Sequence, residues 1–476
     1  MTLKWIAFQI LGIVRVIAMK RSQRDLTSGP LLSGIITYTV PIILTSVLQL
    51  LFNAADLVVV GRFRGSLSVG AVGATGALTN LIVNLFVGLS VGAGVCVAHA
   101  IGAKQEKMLH RIIHTAVFVS IFGGAVLTVI GVSLSSTFLH WMDTPADILP
   151  LSAAYMRIYF CGMTFIMVYN FCASILRAAG DTRSPLIYLT LAGVVNVVLN
   201  LFFVVVCGMN VEGVALATIL SQALAAVLVV RALMRRTDGC HLDLGQLLPH
   251  KAQLLRILRI GVPAGIQSSL FAISNVIIQS SVNSFGDVVV SGMAAAGNLE
   301  GFVYVTLNAF SQTAVNYTGQ NVGAGQYGRV KKVVALCCIC ATVAGILAGG
   351  GMYLAAPQLL QIYITDSPEA ISYGILRMTF VCLPYFLCGL MEVATGALRG
   401  MGASVTPMVM SVMGVCAFRL GWIYTVFQVP QFHTLECLYV SYPISWTMTF
   451  VIEMIAFFIV FRRHTKRARG NALPAL

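Results

Sequence analysis

Pro41 recurs as Pro263, 222 residues further along the chain. At the same offset Leu176-Arg177 returns as Leu398-Arg399, Gly180 as Gly402 and Pro185 as Pro407, and Gly102-Ala103 returns one residue short of it as Gly323-Ala324. Each copy holds about six long apolar segments, enough to cross a bilayer at roughly 20 residues apiece. An even number of crossings brings the chain back to its starting side. The copies must then share one orientation, related by a pseudo-twofold axis along the membrane normal. Secondary transporters use this repeat architecture, with the transported species bound between the halves.

Composition agrees. Hydrophobic residues make up 58% of the chain and charged residues 10%, against about 25% charged in an ordinary soluble protein. The apolar runs are continuous rather than alternating, which argues against a β-barrel. The chain reads as an all-α polytopic membrane protein of twelve transmembrane helices in two six-helix lobes. Expected spans are 33–59, 70–100, 110–135, 150–175, 186–207 and 212–234, then 256–283, 289–318, 331–354, 371–397, 405–427 and 436–461. The domain reading is a cytoplasmic N-terminal segment 1–32, an N-lobe 33–234, a linker 235–255 with room for one surface helix, a C-lobe 256–461 and a basic tail 462–476.

A net charge of +14 could suggest nucleic acid, but its distribution argues for topology. With the N-terminus on one side, every Lys and Arg outside the spans falls on that side except Arg62 and Arg64; Arg157, Arg377 and Arg419 lie within spans. The positive-inside rule then places both termini in the cytoplasm and the 136–149 and 357–370 loops outside. The basic excess also favours anionic lipid headgroups.

The twelve cysteines show no metal-ligand spacing, and Cys337, Cys338 and Cys340 sit inside an apolar span. They read as small packing residues. His110 and His114 have helical i, i+4 spacing, but the equivalent stretch of the second copy holds Arg329, Lys331 and Lys332, so a basic cytoplasmic face is expected rather than a metal site. Residues 1–18 are apolar but interrupted by Gln9 and Arg15 and lack a cleavage signal. Either Met19 is the start, or 1–18 lies along the cytoplasmic face of the membrane. No stretch fits a phosphate loop or an ATPase module, and no cofactor is implied, so any uphill transport would draw on an ion gradient.

Several runs resemble the multidrug and toxic compound extrusion (MATE) transporters. They are Gln49-Leu-Leu-Phe-Asn-Ala-Ala-Asp56 with Val60-Gly61-Arg62, Gly102-Ala103-Lys104, Leu176-Arg177-Ala-Ala-Gly180-Asp181, and Ala217-Thr218 with Ser221-Gln222. In the second copy they are Gly319-Gln320-Asn321-Val-Gly323-Ala324-Gly325 and Leu398-Arg399-Gly400-Met-Gly402. The resemblance covers about 25–462 and lies in the order, spacing and duplication of these runs. It implies two six-helix lobes around a central cavity, cation antiport by H⁺ or Na⁺, and export of bulky, often cationic amphipathic compounds. A monomer in the cell membrane, handling small molecules and not nucleic acid, is expected. A lipid or oligosaccharide flippase of the same superfamily is the alternative; it would want several arginines in its cavity, whereas Arg157 and Arg377 read as peripheral. Nothing suggests an enzyme: H-E-x-x-H and G-x-S-x-G are both absent.

A carboxylate at membrane depth costs about 2.5–3.5 kcal/mol to insert, so each one calls for a reason. Gln49, Asn53 and Asp56 are spaced by four and three residues and share one helix face. Asp56 could take up a proton or coordinate Na⁺ with neighbouring amide oxygens; the competing reading pairs it with Arg62 or Arg64 near the outer mouth. Asn196 and Asn200 also share a face. Relatives often carry Asp at the second of these positions, and an Asn there cannot titrate. The pair can still bind through its amides or join helices. Glu392 answers Asn170 at the 222-residue offset, one acid against one amide, so the copies should not be functionally equivalent. An acid that some relatives carry in span 7 is Phe271 here. Cation coupling is therefore assigned to Asp56, Glu392, Asn196 and Asn200. The cavity is assigned Gln49, Asn53, Asn170, Gln267, Glu300, Asn308, Gln312 and Arg419, the last either paired with a cavity acid or snorkelling. Glu453 reads as structural. Pro41 and Pro263 are expected near the starts of their spans, Pro384 at a kink in span 10, and Gly88, Gly92 and Gly94 at a close helix contact or a bend in span 2.

Overall fold

The computed structural model describes residues 24–142, 144–364 and 367–471. Met19 and the stretch 1–18 lie outside the described residues, as do the last five residues of the tail. Among the described residues every regular element is helical. Ten helices among the described residues are individually long and apolar enough to cross a membrane, and two bent helix pairs, each taken as one span, bring the number to twelve. Span 1 is Leu31–Arg64, span 2 Ser66–Gly102 and span 3 Glu106–Trp141. Span 4 is the pair Leu149–Cys161 and Met163–Ala178, span 5 is Arg183–Leu201 continued by Phe202–Val206, and span 6 is Val211–Met234. In the second copy span 7 is Lys251–Asn283, span 8 Asp287–Gly323, span 9 Tyr327–Leu354 and span 10 the pair Pro368–Phe380 and Tyr385–Gly400. Span 11 runs from Val405 to Tyr424 and span 12 is Leu435–Asn471. Large apolar side chains such as Val129, Leu347 and Ile455 stand exposed on these helices, which suits lipid and not water.

The duplication is visible in local backbone chemistry. Leu-Arg-x-x-Gly closes spans 4 and 10 with the same cap. Asp181 N–H donates to the Leu176 carbonyl at 2.9 Å, and Ala403 N–H to that of Leu398 at 3.0 Å. The glycines between them, Gly180 at φ 84° and Gly402 at φ 81°, adopt the left-handed conformation such a cap requires. Spans 4 and 10 bend by 48° and 46°. Pro384 breaks span 10, and Gly162, at the same offset, stands at the break in span 4. Spans 5 and 11 each contain a π-helical segment, Phe202–Val206 and Val412–Ala417, but at different depths. π segments often mark functional positions, and here they are where the copies diverge.

Two expectations about the bounds and interruptions of the spans need correction. Pro41 and Pro263 lie well inside continuous helices, Leu31–Arg64 and Lys251–Asn283, not near their starts. Each leaves the carbonyl four residues back without its helical donor. The 357–370 segment is largely helical: Ala356–Tyr363 forms a short helix, and span 10 begins at Pro368.

The chain folds as two compact units. The first comprises the described residues up to Ser28, Val40–Thr79 and Gln105–Leu255. Within it, Val59, Val60, Val204 and Val214 join spans 1, 5 and 6 in one buried apolar cluster. His114, expected on a basic surface, is buried instead. Its Nδ1–H donates to the His110 carbonyl at 2.8 Å, which leaves Nε2 to accept from Asp243 N–H at 3.1 Å. With Thr115 Oγ1 accepting from His250 N–H, it docks the linker onto span 3.

The second unit comprises Gly29–Thr39, Asn80–Lys104 and Arg256 onward. Here span 2 lies against span 7 so closely that a Cβ on Gly88 would meet the Gly265 backbone and one on Gly92 the backbone of Ile257 and Gly261. Its C-terminal end crosses that of span 8 in a reciprocal contact. A Cβ on Gly102 would strike the Gln320 carbonyl, and one on Gly323 the His99 carbonyl. His99 Nε2–H adds a 2.7 Å bond to the Gly400 carbonyl. Gly102→Leu should therefore separate these helix ends and lower the melting temperature of the purified protein by several degrees. Overpacking of this kind costs about 1–3 kcal/mol. An unchanged melting curve would show that the crossing does not need the glycine.

Candidate functional site

The first polar site lies in the first unit, where spans 1, 5 and 6 meet. Asp56 is half-buried on span 1, one turn before the valine cluster that fixes its rotation. Asn200 Nδ2 donates to Asp56 Oδ1 at 2.5 Å and also approaches Asn196 Oδ1 at 3.3 Å. Thr218 Oγ1 donates to Asp56 Oδ2 at 3.3 Å. Asn196 and Asn200 are both buried, and Asn200 Oδ1 has no partner among the described residues. A buried acceptor left unsatisfied calls for a donor or a cation. The site thus gathers a carboxylate, two amide oxygens and a hydroxyl, all hard oxygen ligands of the kind a proton or an alkali cation takes. Arg64 is occupied elsewhere, donating to the Val204 carbonyl at 2.6 Å. Gln49 and Asn53 are exposed and share no hydrogen bond with Asp56 among the described residues. Asn170 is half-buried and donates to its own helix at Ile166.

The second polar site is a cavity of about 510 Å³ within the second unit. Gln267, Glu300, Asn308, Glu392, Arg377, Arg399 and Arg419 contribute its polar wall. Glu300 and Arg377 form a two-pronged ion pair, with Nε to Oε1 and Nη2 to Oε2 both at 2.9 Å. Arg377 also donates to the Met293 carbonyl at 3.2 Å and lies over the Tyr439 ring. Reading Arg377 as peripheral was wrong, because its partner stands 77 residues away and only the packing of spans 8 and 10 brings them together. Arg399 Nη2 donates to Gln267 Oε1 at 2.8 Å. Glu392 is buried on the same helix face as Arg399, two turns earlier, and its carbonyl accepts from Ser311 Oγ. Gln312 Nε2 donates to Asn308 Oδ1 at 3.0 Å, one turn back on span 8.

Arg419 neither snorkels nor joins a carboxylate. It is buried; its Nε donates to Ser445 Oγ at 2.9 Å and its guanidinium lies 3.8 Å over the Tyr442 ring. Glu453 is fully buried. It accepts from Thr395 Oγ1 at 2.9 Å and Ser411 Oγ at 2.6 Å, tying spans 10, 11 and 12 together. Sequence reasoning did not single out Thr218 as a partner of Asp56; the signal was the Ala217-Thr218 pair within the family-like run. Ser445 and Tyr442 carried no signal, since hydroxyls and aromatics are common on such helices.

Comparison with known proteins follows the same division. The model of the MatE family matches residues 41–202 and 263–425, beginning at Pro41 and again at Pro263. The chain is 26% identical over 399 residues to "Probable multidrug resistance protein YpnP" of Bacillus subtilis, covering 83% of this chain and 88% of that protein. It is also 26% identical over 427 residues to "Probable multidrug resistance protein YoeA" of the same organism, covering 87% and 91%. A solved MATE structure in complex with MaL6 superposes with a TM-score of 0.87 at 20% identity, covering 94% of this chain and all of that one.

Proposed function

The chain belongs to the MatE family of membrane transporters, and we propose that it is a multidrug exporter, an antiporter that exchanges H⁺ or Na⁺ for bulky, often cationic amphipathic compounds by alternating access. The observation that carries the reading is the Asp56 site. It offers one carboxylate, held by Asn200 and Thr218 and backed by an unsatisfied amide oxygen. A cation bound there removes the negative charge that an organic cation would otherwise use. Drug and coupling ion then weaken each other's binding by the same factor, which is what exchange needs. Glu392 supplies a second buried acid in the other copy, where Asn170 stands in the first. The names of YpnP and YoeA support drugs as the cargo.

The test is dye transport by the purified full chain in proteoliposomes. An imposed pH or Na⁺ gradient should drive dye uphill, and an ionophore that collapses the gradient should stop it. Dye that only equilibrates, whatever the gradient, would sink the reading.

The same reading sets an orientation with both termini in the cytoplasm and the two lobes as 33–234 and 256–461. On a cysteine-free background, a membrane-impermeant maleimide added outside intact cells should label a Cys placed at Asp147 and leave one placed at Lys251 unlabelled. Labelling of the Lys251 position instead would invert the topology.

A further inference from the structure

The wall of the 510 Å³ cavity carries three arginines, Arg377, Arg399 and Arg419, against two glutamates, Glu300 and Glu392. Glu300 is committed to Arg377 at 2.9 Å. Glu392 and Arg399 lie about two helical turns apart on one face of span 10. Arg419 has no carboxylate within ion-pair distance among the described residues. It is 4% exposed, and its Nη2 has no hydrogen-bond partner among the described residues. A buried charge without a counter-charge is costly. Stacking on Tyr442 at 3.8 Å and on Trp446 at 5.4 Å lowers that cost and fixes the plane of the guanidinium. Ser445 holds Nε, which leaves Nη2 as the donor in want of an acceptor.

We propose that Arg419 is the anchor of a carboxylate-binding subsite in this cavity, taking the acid group of a zwitterionic or acidic aromatic compound. A planar guanidinium donating to a carboxylate is among the stronger polar contacts available in a dry site. Tyr304, Tyr385 and Tyr439 on the same wall offer surface for the ring system, and the volume suits a drug-sized molecule. The subsite widens the cargo beyond the organic cations favoured by Asp56. A compound bearing both charges would find Glu392 on the same wall for its cation. The inference rests on the export reading only in treating the ligand as cargo.

The test is equilibrium binding with no gradient, so its failure would leave gradient-driven export untouched. The purified full chain in nanodiscs is titrated, by fluorescence anisotropy, with rhodamine B and with its ethyl ester. The two share one xanthylium cation and differ in the free carboxylate. The wild type should bind the acid about tenfold more tightly than the ester, the size of one charge-assisted contact. Arg419→Gln should abolish the preference, with the acid bound no more tightly than the ester, and Arg419→Lys should keep part of it. Equal binding of acid and ester by the wild type overturns the proposal, and this comparison needs no variant to fold. Equal weakening of both dyes by Arg419→Gln also overturns it and assigns Arg419 to packing span 11 on Ser445.

Discussion

Asp56→Asn is expected to abolish gradient-driven export while leaving the folded protein and its dye binding in place. The substitution keeps shape and hydrogen-bonding capacity and removes only the charge. The site is already built to receive an amide. Asn200 now turns its Nδ2 to the Asp56 carboxylate at 2.5 Å and leaves Oδ1 unsatisfied. Rotating the Asn200 amide by half a turn would present Oδ1 to the amide nitrogen introduced by the substitution, so the buried acceptor gains a donor. What disappears is the group for which cation and drug compete. Coupling free energies of this kind correspond to about 5–150-fold changes in affinity. Dye affinity of the wild type should therefore fall by a factor in that range when H⁺ or Na⁺ saturates the site. In the variant it should not respond to either ion. Near-normal uphill pumping by the variant would remove Asp56 from the coupling role and leave Glu392 to fill it.

The second large effect is on stability. Glu300→Gln should destabilise the protein by about 3–5 kcal/mol, the usual consequence of leaving one member of a buried ion pair alone. Arg377 would keep its bond to the Met293 carbonyl and its place over Tyr439, but those contacts do not neutralise it. The Glu300→Gln, Arg377→Gln double variant should recover most of the loss, because removing both charges removes the desolvation problem. Thermal unfolding of the wild type, the two single variants and the double variant in one detergent gives the comparison. If Glu300→Gln alone melts with the wild type, the pair carries no net energy and its role is to shape the cavity.

Much of this architecture was legible in the residues, and the reason is physical. Hydropathy marks the spans because lipid tolerates little else, and the 222-residue offset showed that six helices were written twice. The Leu-Arg-x-x-Gly recurrence could be seen in sequence because a left-handed cap position strongly favours glycine. The break at Pro384 could be expected, since proline removes a helical donor. Its counterpart at Gly162 could not, because glycine permits a break without requiring one. Spacing placed Asn196 with Asn200, but it could not show that Thr218 and Asp56 would join them. Contacts between helices depend on rotation and tilt, and hydropathy encodes neither. For the same reason Arg377 was misjudged, and His114 was assigned to a surface it does not occupy. The π segments of spans 5 and 11 left no mark at all, since one extra residue in a turn changes no composition.

Exchange itself is tested most directly by running the transporter backwards. Proteoliposomes containing the purified chain are loaded with dye on one side only, with pH and Na⁺ equal across the membrane and the membrane potential clamped. As dye flows down its own gradient, H⁺ or Na⁺ should move in the opposite direction, and Asp56→Asn should show dye movement at most, with no counter-movement of ion. Dye flux through the wild type with no opposed movement of either ion would contradict antiport.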